Sequence, residues 1–157
     1  ETFYLQALFK GPKFILKKEL IKIPIFGWYL KKIGSIPVER NKISKKKIHF
    51  LDTIKISSRD NRPIVIFPQG TRTDPSDRPD FKKGVARIYQ ALNISCLPVI
   101  INSGEAWPKN GNVNKNKKIT ISVLKPIKPG LEGKQFLNSL QNTMYDVLNK
   151  TSSPSSA

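Results

Sequence analysis

The chain has 157 residues, enough for one domain with a core of its own, and its 38% apolar content excludes a wholly disordered polymer. Lysine and arginine number 28 against 11 acidic residues, a formal charge of +17 with a pI near 10.1. Such a field favours anionic partners: nucleic acid, an anionic membrane surface or phosphorylated small molecules. One cysteine (Cys96) and one histidine (His49) leave no internal disulfide framework and no His/Cys metal cluster, so no metal site is expected.

In chain order, Thr2 to Phe9 reads as a helix stopped by Gly11-Pro12, and Lys13 to Lys17 as a short strand. Glu19 to Ile33 is dense in Ile, Phe, Trp, Tyr and Leu, and Pro24 should split it into two short helices. Gly34 to Val38 turns into a short strand ending at Glu39-Arg40, and Lys45 to Ser58 reads as a helix. Asp60-Asn61-Arg62 is a turn, Pro63 to Phe67 a buried strand, and Thr73 to Asp80 a polar, proline-containing loop. Gly84 to Leu92 reads as a helix, and Ile94 to Ile101 as a buried strand interrupted by Pro98, with Cys96 a buried structural thiol. A loop-rich stretch from Ser103 precedes a strand over Ile119 to Leu124 and an extended segment from Pro126 to Gly130. Glu132 to Lys150 is an amphipathic helix with Phe136, Leu137, Leu140, Met144, Val147 and Leu148 on its apolar side. The organisation expected is one domain over residues 1–150 and a disordered Ser/Pro-rich tail over 151–157.

Strands alternating with helices argue for an α/β domain with a mostly parallel sheet flanked by helices. In such sheets ligands bind at the carboxyl ends of strands, so the loops after Lys17, Val38 and Phe67 are candidates to share one site. The loop after Phe67 is the most telling: Pro68-Gln69-Gly70-Thr71-Arg72. Gly70 lets backbone N–H groups approach an oxyanion, Thr71 offers a hydroxyl and Arg72 a planar fork for phosphate oxygens. A tight turn with a solvated arginine is the plainer alternative. No run of about 18 apolar residues marks a membrane-spanning helix. The chain starts at Glu1, already in a helix-like pattern, so an upstream segment is expected, and the protein is either peripheral to the membrane or anchored through that segment.

Four blocks together resemble the glycerolipid acyltransferases, and among them the 1-acylglycerol-3-phosphate acyltransferases. Phe67-Pro68-Gln69-Gly70-Thr71-Arg72 is similar to the family's Phe-Pro-Glu-Gly-Thr-Arg block. Gly34-Ser35-Ile36-Pro37-Val38-Glu39-Arg40 resembles its second block, a glycine, an apolar strand and then acid-Arg. Lys17-Lys18-Glu19-Leu20 with Ile23-Pro24-Ile25-Phe26-Gly27-Trp28 resembles its Lys-x-Glu-Leu and Ile-Pro-x-Phe-Gly-Trp segment, and Leu97-Pro98-Val99 its last block. The order and spacing match over most of the chain.

The resemblance implies a glycerol-3-phosphate acyltransferase-like fold. It also implies transfer of an acyl group from acyl-CoA or acyl carrier protein to the 2-hydroxyl of lysophosphatidic acid, giving phosphatidic acid in phospholipid biosynthesis. No cofactor is implied beyond the acyl thioester co-substrate. The family's first block is a His, four residues and an acid. No His precedes Glu1, which would stand at the acid, so the chain is expected to be truncated and to lack the catalytic His. A helix-start acid is the plainer reading of Glu1. Gln69 replaces the family's Glu, which keeps shape and hydrogen-bonding reach but removes the charge.

Lys17, Arg40 and Arg72 are the expected substrate-phosphate contacts, and Gln69, Gly70 and Thr71 the loop that positions groups or lines an oxyanion hole. Ile25, Phe26, Trp28 and Tyr29, with lysines at their margins, are the expected membrane contact at the cytoplasmic face. Two other readings remain at this stage. One is a non-catalytic lipid-binding relative. The other is a basic nucleic-acid-binding domain, although no nucleic-acid motif is present and no nucleic-acid partner is expected.

Overall fold

Lys13–Lys17 forms β1 because its three central residues are all apolar and can be covered on both faces. In the computed structural model, which describes residues 2–38, 45–71, 73–74, 76–108 and 111–152, Phe14 and Ile15 of this strand are buried. The chain folds as two compact units, residues 1–67 and 68–157.

In the first unit β1 is the middle strand of a three-stranded parallel sheet. Ile36–Val38 (β2) runs beside it with Ile15 opposite Ile36 and Lys17 opposite Val38. Ile64–Val65 (β3) pairs on the other edge with Lys13 and Phe14. The strand expected over Pro63 to Phe67 therefore shortens to two residues: Pro63 has no N–H to give, though its carbonyl accepts from the Lys13 N–H at 2.8 Å. Three helices serve this sheet: Thr2–Leu8 (α1), Phe26–Lys32 (α2) and Lys45–Ser57 (α3). A 3-10 turn over Lys18–Lys22 supplies the first half of the segment that Pro24 divides, as its sequence indicates. Leu5, Leu30, Ile36 and Ile54 complete the buried apolar set around Phe14.

The second unit joins Lys83–Leu92 (α4) to Gly133–Ser152 (α6) across an antiparallel strand pair, Val99–Ile101 (β4) with Ile121–Val123 (β5), and includes the short helix Ser103–Ala106 (α5). The long buried strand expected from Ile94 is not formed. Pro98 confines β4 to three residues, Cys96 makes a single bridge to Ile127, and Ile94 and Leu97 are exposed. Cys96 is half-buried rather than buried, and that burial still pushes its thiol pKa up. Val85, Ile88, Tyr89, Phe136, Leu140 and Tyr145 form the core between α4 and α6. Gly133 lies where the two helices meet: a Cβ there would be 3.0 Å from Gln90 Oε1, the end of a flexible side chain, and in ordinary contact, 3.6 Å, with Ala86 Cβ. The backbone of α6 continues helical to Ser152, two residues into the stretch read as a tail, and residues 153–157 lie outside the described residues.

Candidate functional site

Parallel pairing aligns the carboxyl ends of β1 and β2, with Lys17 beside Val38 at the last register position. Lys17 is exposed there, at the start of the 3-10 turn, so its ammonium is accessible to an anion. Arg40 follows Val38 by two residues, but Arg40, Arg72 and Glu1 all lie outside the described residues.

The opposite end of the same sheet carries cations with a different task. Lys13 Nζ lies 2.6 Å from an Asp60 carboxylate oxygen and donates to the Ser57 carbonyl at 2.7 Å. The Lys13 hydrogen bond to Asp60 holds that carboxyl below its usual range. Arg62 donates from Nε to the Gly11 carbonyl at 2.7 Å and from a terminal nitrogen to the Ile33 carbonyl at 2.8 Å. One guanidinium thus ties together the chain leaving α1 and the chain leaving α2. These basic residues are structural fasteners, and sequence inspection alone does not separate them from the other cations.

The apolar segment after β1 is shaped by two backbone constraints. The Phe26 N–H donates to the Pro24 carbonyl at 2.6 Å, closing a γ-turn around Ile25 at φ 62°, ψ −57°. That is the rare, strained form of the turn, and a β-branched side chain makes it costlier. Gly27 is fixed by crowding: a Cβ would fall 2.0 Å from the Ile21 carbonyl oxygen. The glycine of the Ile-Pro-x-Phe-Gly-Trp segment is therefore a contact requirement between the 3-10 turn and α2.

The outcome is an apolar face in water. Ile25 is 84% exposed and Trp28 62%. Phe26 and Tyr29, expected in the same patch, are half-buried because Phe3 of α1 covers them, stacked 4.6 Å from Tyr29 and tilted 6.1 Å from Phe26. Phe3 is itself 61% exposed, and Tyr4 and Leu8 beside it are exposed as well. The face thus reaches onto α1, which sequence reading left out. The fragment Thr2 to Phe9 reads simply as a helix, and only the Phe3–Tyr29 stacking shows that it shares a surface with α2. Lys32 lies 4.9 Å over the Trp28 ring, and Lys22 and Lys31 are exposed nearby in sequence. Among the described residues no helix is long and apolar enough to cross a membrane.

In the second unit the loop Pro68–Thr71 has a defined frame. Gly70 adopts φ +73°, the left-handed region that favours glycine. The Lys82 N–H donates to the Pro68 carbonyl at 2.9 Å, so the two ends of the intervening loop are pinned together. Gln69 and Gly70 are half-buried and Thr71 is exposed. Gln69 Nε2 lies 3.5 Å from the Tyr145 hydroxyl. Farther along, Asp74 accepts from the backbone and hydroxyl of Ser76, which holds its carboxyl below the usual range.

A family model described as Acyltransferase matches residues 2–102. This chain belongs to the acyltransferase family. Among the curated relatives of this chain, the 1-acyl-sn-glycerol-3-phosphate acyltransferase of Pseudomonas aeruginosa is 31% identical over 114 residues, which cover 71% of this chain and 43% of that protein. The enzyme of the same name from Helicobacter pylori is 30% identical over 132 residues, covering 83% of this chain and 55% of its own. The crystal structure of the 1-acyl-sn-glycerophosphate (LPA) acyltransferase from Thermotoga maritima superposes with a TM-score of 0.74 at 21% identity, over 94% of this chain and 59% of that one. The fold is accordingly that of this acyltransferase, α/β with a parallel sheet flanked by helices. The chain spans about half the length of the curated relatives it matches.

Proposed function

We propose that this chain is the part of a 1-acylglycerol-3-phosphate O-acyltransferase that binds the acceptor phosphate and meets the lipid surface. The observation that carries the reading is the 31% identity to the Pseudomonas aeruginosa acyltransferase over most of this chain. Lys17, Arg40 and Arg72 supply the cations for the phosphate, Arg as a bidentate fork and Lys as a point charge. In the reaction, the 2-hydroxyl oxygen attacks the thioester carbonyl carbon while a general base, oriented by the Glu1 carboxylate, takes the hydroxyl proton. The tetrahedral oxyanion accepts hydrogen bonds from backbone N–H groups of the Gly70 loop. Collapse breaks the C–S bond, and the thiol departs with the proton returned by the same base. Acyl-CoA or acyl carrier protein is the donor, and no cofactor takes part.

Ile25, Phe26, Trp28 and Tyr29, extended by Phe3 and Tyr4, rest on the cytoplasmic face of an anionic membrane. The strained exposure of Ile25 supports this assignment, because strain retained at an exposed apolar tip is characteristic of a functional contact. The positive charge then serves anionic lipid and the phosphates of coenzyme A rather than nucleic acid.

The test is thiol release from acyl-CoA by the full-length protein, with and without 1-oleoylglycerol 3-phosphate. Acceptor-dependent release is expected. No release with any of several acyl-CoA or acyl carrier protein donors would overturn the reading.

A further inference from the structure

Helix α6 carries a polar stripe at four-residue spacing, Gln141, Tyr145 and Asn149, which places the three side chains in a row on one face. Each holds one part of the segment 78–81. Gln141 Oε1 accepts from the Phe81 N–H at 2.9 Å, and its Nε2 donates to Asp80 at 3.2 Å. The Tyr145 hydroxyl donates to the Pro79 carbonyl at 2.5 Å, and Asn149 Oδ1 accepts from Arg78 Nε at 3.1 Å. Phe81 meets the Tyr145 ring edge-on at 5.2 Å, and the Arg78 guanidinium lies 5.6 Å over it. The next residue after this clamped segment is Lys82, whose N–H holds the Pro68 carbonyl.

We infer that Tyr145 is a positioning residue for the loop Pro68–Thr71, and that α6 sets where that loop presents its N–H groups and hydroxyl. The inference rests on the acceptor-phosphate reading given above only for its kinetic arm. Two connections run from α6 to the loop: an indirect one through Pro79, Lys82 and the Pro68 carbonyl, and a direct one from Tyr145 to Gln69. The direct one has a fixed polarity. Tyr145 has one hydroxyl proton and gives it to Pro79, so toward Gln69 it can only accept. The Gln69 amide can supply a donor, whereas a carboxylate there could not. Tyr145 is buried as a residue, which limits the replacement of these partners by water.

Tyr145→Phe keeps the ring and removes both hydrogen bonds. In the full-length protein, the KM for 1-oleoylglycerol 3-phosphate is expected to rise about fivefold with kcat changed less than about twofold, the scale of one hydrogen bond. Amide exchange at Gly70 and Thr71 is expected to rise by a similar factor, with exchange in the middle of α4 unchanged. Unaltered loop exchange together with unaltered KM would overturn the inference. Wild-type protein that shows no acceptor-dependent turnover would sink the proposed function instead, and loop exchange would still decide the positioning role. If Tyr145→Phe does not fold, Gln69→Met removes the donor from the loop side without disturbing α6. Raised exchange at Gly70 and Thr71 would then uphold the inference, and unchanged exchange would overturn it.

Discussion

The rings of Tyr89 and Phe136 lie parallel within 3° at a centroid distance of 3.8 Å, and they join α4 to α6. So nearly cofacial a pair gains little from the ring quadrupoles, which prefer an offset, and depends on dispersion and burial. The Tyr89 hydroxyl adds direction: it donates to the Lys128 carbonyl and accepts from the Leu131 N–H at 3.2 Å, fixing the chain that enters α6. Phe136→Ala should cost about 3–5 kcal/mol. Tyr89→Phe should cost about 1–3 kcal/mol, because the Leu131 N–H and Lys128 carbonyl lose a partner. Urea unfolding of the two variants checks the order, and a smaller loss for Phe136→Ala than for Tyr89→Phe would contradict it.

The clasp between Lys13 and Asp60 predicts a pH dependence. Its hydrogen bond lowers the folded carboxyl pKa beneath the unfolded value, so the unfolded chain binds the proton more readily. The contribution is therefore fully present above about pH 5 and is lost as pH falls through the folded value. Asp60 is exposed, so the effect is modest. Thermal melts of wild type and Asp60→Asn should differ by a constant amount at neutral pH and converge in acid. A gap that widens on acidification would contradict this sign.

Position 25 allows the proposed membrane contact to be tested apart from stability. Ile25→Gly relieves a φ of 62° and should leave stability equal or raise it by about 1 kcal/mol, while weakening binding to vesicles containing phosphatidylglycerol. Trp28→Ala should weaken the same binding without a stability gain. Unchanged vesicle binding in both variants would remove this face from the membrane assignment.

Gly27→Ala should act in the opposite sense. The added Cβ meets a backbone carbonyl rather than a flexible side chain, so the 3-10 turn or α2 must move. A loss of about 3 kcal/mol, at the upper end of overpacking costs, is expected in urea unfolding. A loss under about 1 kcal/mol would show that the turn yields easily.

Gln69→Glu addresses the departure from the family's block. A carboxylate has no N–H for Tyr145 and invites the hydroxyl proton away from Pro79. A few-fold rise in KM for the lysophospholipid acceptor is expected, on the scale of about 1 kcal/mol for a disturbed hydrogen bond. Wild-type kinetics would mean that only the shape of the side chain matters.

Contiguous runs were legible in the sequence. Lys13–Lys17 reads as a strand because its apolar residues are adjacent, and Pro24 divides its segment as a proline must. Strand length was not legible where a partner decides it. Nothing in Pro63 to Phe67 says that only Ile64 and Val65 find register with β1, and Cys96 forms a lone bridge because Ile127 is the residue opposite. Gly27 stands in a motif, but its reason is the Ile21 carbonyl, a contact across a bend. Tyr145 lies far along the chain from Gln69 on a helix whose apolar periodicity draws the eye. The usable signal was the polar spacing of Gln141, Tyr145 and Asn149 on that same helix.

The two units of this chain are made in a definite temporal order. The strand pairs, the Lys13–Asp60 clasp and the aromatic face of the first unit lie within residues 2–67, whereas the frame of the Gly70 loop waits for Tyr145. During synthesis a growing chain exposes these apolar residues long before α6 exists to brace the loop. That apolar face is thereby available for contact in a nascent protein that cannot yet hold its Gly70 loop in shape.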